Sequence, residues 1–107
     1  MTFDEMKKGA YRGAAVPDGM TENERFQFVA ARRVYAGFRS GEIDRTEAEP
    51  MIAFIRDYSH LQIREKRSLL QYIFALLCAD AGNGDSEALT LSKFVARLQS
   101  SMGRDRK

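Results

Sequence analysis

His60 is the sole histidine of the sequence, three residues after Asp57 and next to Ser59. A carboxylate one helical turn from an imidazole can fix its tautomer, the geometry of a general base beside a hydroxyl nucleophile. Helix junctions use the same residue types as end caps, so His60 is kept only as the centre of an alternative reading, a minor enzyme. Other chemistry is excluded more simply. One His and the single Cys78 stand in different contexts and cannot furnish a zinc site. Residues 80–87 have the look of a calcium loop, but Asp85 stands where the sharp turn needs glycine, so the segment reads as a turn between helices. The sequence has no Walker loop, no GxGxxG after a strand and no GxSxG elbow. The pairs Glu42/Asp44 and Glu47/Glu49 lie near a helix start, where the macrodipole accounts for them. The expectation is a protein that is not an enzyme, with no metal and no cofactor.

The arrangement of cations says more. Arg25, Arg32 and Arg39 are seven apart, which puts them on one face of a helix with Arg33 beside them. At helical rise this row spans ~21 Å, enough to meet several phosphates or a row of acidic side chains. A second group is Arg64, Lys66 and Arg67. These three sit early in their helix, where the macrodipole gives positive charge no help. The seven residues together form the candidate partner surface, for protein or for nucleic acid. The bland alternative is a solvated face balanced by Glu22, Glu24, Asp57 and Glu65.

These side chains are carried by helices. Thr2 with Glu5 forms a capping box for a short first helix that Gly9 is expected to end. Pro17, Asp18 and Gly19 make a loop, and Thr21 with Glu24 opens a second helix with Phe26, Ala30, Val34 and Phe38 at a step of four, stopped at Ser40 and Gly41. The third helix places Ala48, Met51, Ile52, Ile55 and Tyr58 on one face. Thr46 is the favoured cap over Asp44, because that start puts Pro50 in the first turn. A fourth helix, capped within Ser59 to Gln62, runs to about Ala81. Its residues 69–79 are apolar all round, which predicts a buried central helix with Cys78 as a small apolar filler. After Gly82 and Gly84, Asp85 or Ser86 caps a fifth helix with Leu91, Phe94, Val95, Leu98 and Met102 facing inward. A helix-turn-helix reading through Gly41 fails, because Met51, Ile52, Phe54 and Ile55 want burial where base-reading side chains are required.

The fold class is therefore all-α: a single-domain bundle of four main helices plus a short N-terminal helix, over residues 1–102, with 103–107 as a flexible basic tail. A length of 107 residues, 44% hydrophobic and 30% charged, suits one globular core. No apolar run approaches a membrane span and no secretory signal opens the chain, so a cytoplasmic setting is expected. The net charge of +2 is too small to imply nucleic acid by itself. Five helices rich in aromatics also leave room for a homodimer that covers an apolar patch.

Residues 16–58 carry a Pro-x-Gly turn, a Thr cap with Glu three later, an aromatic helix ending in Arg-x-Gly, and an Ile-Asp-Arg restart. The positions are Pro17, Gly19, Thr21, Glu24, Tyr35, Arg39, Gly41, Ile43 and Asp44. This stretch resembles small helical proteins encoded by phages and prophages of gut Firmicutes; the chain after His60 lies outside the resemblance. What the resemblance implies is a context, with no activity and no residue role attached. Small phage proteins without catalytic residues often act by stoichiometric binding, which suggests an inhibitor or modulator of a host protein or defence complex. The alternative is a nucleic-acid-binding accessory or transcriptional regulator using the Arg-rich face.

Overall fold

Capping chemistry decides where the helices begin. In the computed structural model, which describes residues 2–104, five α-helices follow one another with no strand among the described residues: α1 Phe3–Arg12, α2 Glu22–Ser40, α3 Arg45–Arg56, α4 Ile63–Gly82 and α5 Ser86–Arg104. A single 3-10 turn, Tyr58–His60, follows α3. Both expected Thr boxes form. Thr2 N–H donates to Glu5 Oε1 at 2.8 Å, and Thr21 N–H donates to Glu24 Oε1 at 2.9 Å, while each threonine hydroxyl accepts from the glutamate's own N–H. These boxes hold the carboxyls of Glu5 and Glu24 below the ordinary range, chiefly through the threonine backbone N–H. Asp85 accepts from Ala88 N–H at 3.0 Å and caps α5, so the calcium-like segment is a turn between helices.

Three boundaries depart from expectation. The first helix runs past Gly9 to Gly13, which takes the left-handed conformation at φ 75. Gly9 instead sits close under the α2 ring: a Cβ there would lie 3.3 Å from Phe28 Cε2, tight enough that the ring would have to give by a few tenths of an ångström. The third helix is capped by Asp44 and not by Thr46. Asp44 accepts from Glu47 N–H at 2.9 Å and from the Thr46 hydroxyl at 2.6 Å, and returns its own N–H to Glu47 Oε1. That set of bonds outweighs the cost of carrying the exposed Pro50 inside the helix. The fourth helix starts within the expected segment, from Gln62, whose N–H donates to Glu65 Oε1 at 3.0 Å. At the other end, α5 continues through Arg104, beyond the expected boundary at 102; the rest of the expected tail, 105–107, lies outside the described residues.

The chain groups into two compact units, residues 1–60 and 61–107. In the first, α2 packs against α1, α3 and the 3-10 turn. Its residues 26–31 are buried without a break, and Val34 and Gly37 continue the buried face. Gln27 lies among them at 8% exposure, and its Nε2 donates to Ile55 O at 3.0 Å and Arg56 O at 3.1 Å, closing the last carbonyls of α3. At the far end of α2, Gly41 is left-handed at φ 84 and Ile43 folds back, its N–H donating to Gly37 O at 3.0 Å. A Cβ on Gly37 would lie 2.6 Å from Ile43 Cδ1 and 2.9 Å from its Cγ1, so any larger residue there would force the Ile43 side chain to shift.

In the second unit, α4 packs on α5. Leu69, Leu70, Ile73 and Leu77 are buried on α4, facing a core completed by Ala88, Leu91, Phe94 and Val95 of α5. Residues 69–79 are therefore not buried all round: Gln71, Tyr72, Ala75, Cys78 and Ala79 are exposed. One helical neighbour within the unit can cover only one face, whatever the hydropathy of the others. The helix buried on successive positions is α2. No helix of the described residues is long and apolar enough to cross a membrane.

Candidate functional site

The predicted Arg row forms, and it holds parts of its own chain. Arg32 Nη1 donates to Ala14 O at 3.0 Å, across the loop between α1 and α2, and its guanidinium stands 6.0 Å from the Phe28 ring centroid. Arg39 Nη1 donates to Tyr11 O at the end of α1 and lies 5.7 Å from the Tyr11 ring. Arg33 Nη2 pairs with Glu42 Oε1 at 2.8 Å across the α2–α3 turn, with 12% of its side chain exposed. Arg25 is half-buried, so Arg39 is the one exposed member of the row. Arg32, Arg33 and Arg39 are thus answered by backbone carbonyls and one glutamate of the same unit. Carbonyls near the C-terminus of α1 lack intrahelical donors, and a guanidinium supplies them.

The second group lies in the other unit. Arg64 is exposed, while Lys66 and Arg67 are half-buried. Arg67 Nη2 makes a long contact, 3.5 Å, to Met102 O near the end of α5.

His60 is exposed in the 3-10 turn, with its backbone N–H on Asp57 O at 2.8 Å. The Asp57 carboxylate is occupied by Arg56 through two bonds, 3.0 Å and 3.1 Å, which hold its pKa below the usual carboxylate value. The group that was to orient the imidazole is therefore engaged elsewhere. Among the described residues no three His, Cys, Asp or Glu side chains converge on a point that could hold a metal ion. The remaining acids have local duties: Glu42 on Arg33, Asp44 and Glu47 in the α3 cap, Glu49 on Arg45 at 2.8 Å.

Two concave surfaces lie in the first unit. The larger, of about 550 Å³, runs between α1, α2 and α3. Its apolar lining is Phe3, Tyr35, Phe38, Ala48, Ile52 and Ala53, and its charged lining is Asp4 and Glu49 with Lys7, Arg45 and Arg56. Phe38, at 37% exposure, continues the apolar surface outward. The smaller, of about 340 Å³, adjoins it through the shared Lys7 and Tyr35, and adds Lys8, Tyr11 and Arg12. No protein-family model, no curated protein and no solved structure matches this chain. The functional reading therefore rests on these side chains.

Sequence reasoning missed both surfaces. Their residues come from separate helices whose exposed faces look ordinary in isolation. A signal was present at Phe38, which shares the step-of-four row with Phe26, Ala30 and Val34 but comes just before the stop at Gly41, where the covering neighbour runs out. Phe54 is a related case: it was expected to be buried and is 44% exposed, whereas Ile55 beside it is fully buried and Met51 and Ile52 are half-buried.

Proposed function

We propose that this chain is a non-enzymatic helical protein that acts by stoichiometric binding to another protein, as an inhibitor or modulator, through the groove between α1 and α3. The carrying observation is the composition of that groove, with an apolar lining flanked by cations and anions together. A protein segment presents both apolar side chains and charges of either sign, and so complements such a surface, whereas a polyphosphate would meet Asp4 and Glu49 with like charge. The resemblance to phage and prophage proteins gives the context in which that partner is a host enzyme or defence complex.

This reading moves the contact away from the Arg25/Arg32/Arg33/Arg39 row. Nη1 of Arg32 and Nη1 of Arg39 are already committed to Ala14 O and Tyr11 O, so drawing either guanidinium fully onto a partner gives up that bond, a cost that the groove does not carry. The test is capture of partners from host lysate on the intact protein, with and without nuclease, followed by light scattering of the eluted complex. A protein partner that persists through nuclease at a defined molar ratio is the expected result. Recovery of nucleic acid alone, or of protein only while nucleic acid is intact, contradicts it.

A further inference from the structure

The smaller concave surface differs from the groove beside it in one respect: no acid lines it. Lys7, Lys8 and Arg12 of α1 meet Tyr11 and Tyr35 there, and Arg39 borders it through its contacts with Tyr11. Lys7, Lys8 and Arg12 have no ion pair or hydrogen-bond partner through their side chains among the described residues. The helix dipole accounts for Arg12 in the last turn of α1. It does not account for Lys7 in the middle.

The aromatic component is held in place. Tyr11 is 49% exposed, yet its ring is braced edge-on by Tyr35 at 5.1 Å and 70°, with the Arg39 guanidinium 5.7 Å from its centroid. A half-exposed ring that is already fixed loses little freedom when something stacks on it. Asp4, which lines the neighbouring groove, and Glu5, whose carboxylate is bound by Thr2, limit the strip at the start of α1.

We propose that the strip formed by Lys7, Lys8, Tyr11 and Arg12, with Tyr35 and Arg39 bracing the ring, binds single-stranded nucleic acid, phosphates on Lys7, Lys8 and Arg12 and a base on Tyr11. Cations alone would serve any polyanion; the exposed, braced ring selects among them. A duplex keeps its base faces stacked inside and offers the ring nothing, and an acidic peptide without aromatic residues satisfies the cations but brings no ring to stack. An unpaired strand supplies both. This goes beyond the protein-binding role: the two surfaces share Lys7 and Tyr35, but Lys8, Tyr11 and Arg12, on which the test rests, do not line the larger groove.

The test is fluorescence anisotropy on the full chain, using a labelled oligothymidylate of about twenty nucleotides, the matching duplex, and poly-glutamate as competitor. The expected affinity is in the range ~10⁻⁴–10⁻⁶ M, falling with salt at a log–log slope near −2, as for roughly three phosphates on a single strand. Lys8→Glu with Arg12→Glu is expected to weaken binding at least ~10-fold, and Tyr11→Ala at least ~5-fold, the low end of base–aromatic stacking. Lys8→Gln with Arg12→Gln, at two exposed positions, gives a smaller loss in the same direction with less perturbation of the helix. Arg64→Glu with Lys93→Glu makes the same change of net charge in the other unit and is expected to leave the affinity within ~2-fold. Phe38→Glu, which disables the protein groove, is expected to leave strand binding intact and so separates the two readings. The proposal is overturned if the strand fails to bind at low salt, or if the duplex or poly-glutamate binds as well as the strand. It is equally overturned if Tyr11→Ala has no effect, or if the Arg64/Lys93 pair weakens binding as much as the Lys8/Arg12 pair.

Discussion

At the scale of single residues, the arginines of α2 change meaning between sequence and structure. Their spacing is readable from the sequence, and so is the fact that they share a face. What they touch is not, because the acceptors are backbone carbonyls of Tyr11 and Ala14, whose position depends on how the loop after α1 folds back onto α2. Arg32 therefore braces the fold. Arg32→Gln is expected to lower stability by about 1–2 kcal/mol in urea unfolding, within the range for a lost charge-assisted bond, since it leaves Ala14 O without that donor. An unchanged urea midpoint would show that the brace contributes nothing. Gln27 was legible and went unread. An amide inside the apolar run Phe26 to Ala31 must find buried partners, and it finds the C-terminal carbonyls of α3. Tyr58 is the titratable counterpart. It is 2% exposed and packed on Phe26 at 4.7 Å, and burial pushes its phenol up to about 12 from 10.0. A raised value for an acid that is neutral when protonated means that its contribution is fully present below pH ~10 and lost as pH rises toward ~12. Alkaline titration followed by circular dichroism is expected to show unfolding in that window, moved to higher pH by Tyr58→Phe. Identical alkaline transitions in the two proteins would contradict the assignment.

At the scale of elements, all five helices and most of their starts follow from caps that can be read directly, because a capping box is a local interaction that needs no tertiary partner. Burial does not follow so easily. The most apolar stretch, residues 69–79 of α4, buries only Leu69, Leu70, Ile73 and Leu77, while the less apolar α2 buries residues 26–31 in succession. Hydropathy describes what a helix tolerates, and the number of neighbours decides what it buries. The same competition between local and wider signals explains the start of α3. Keeping Pro50 in the first turn favoured Thr46, but the carboxylate of Asp44 collects the Glu47 N–H and the Thr46 hydroxyl together, and those two bonds hold its pKa below the ordinary value. Asp44→Ala is therefore expected to cost about 0.5–2 kcal/mol in thermal or urea unfolding and Thr46→Ala clearly less. The reverse order would restore Thr46 as the effective cap.

At the scale of the whole molecule, the helical class was legible because every segment agrees on it: caps, periodicity and the lack of a strand pattern point the same way. The grouping into residues 1–60 and 61–107 was not, since no linker composition marks the junction; a 3-10 turn and the Gln62 cap follow one another directly. The surfaces that carry the functional reading, the mixed-charge groove and the basic aromatic strip, both belong to the first unit and both combine side chains from α1 with side chains from other helices. We propose that a protein partner meets this groove, and neither the Arg row of α2 nor the Arg64 group of α4. The most direct measurement is parallel capture from nuclease-treated bacterial lysate on the native chain, on Phe38→Glu and on Arg64→Glu, each first checked for a native thermal midpoint. The account predicts that the same protein is recovered on the native chain and on Arg64→Glu and is lost on Phe38→Glu. Recovery on Phe38→Glu with loss on Arg64→Glu would contradict it.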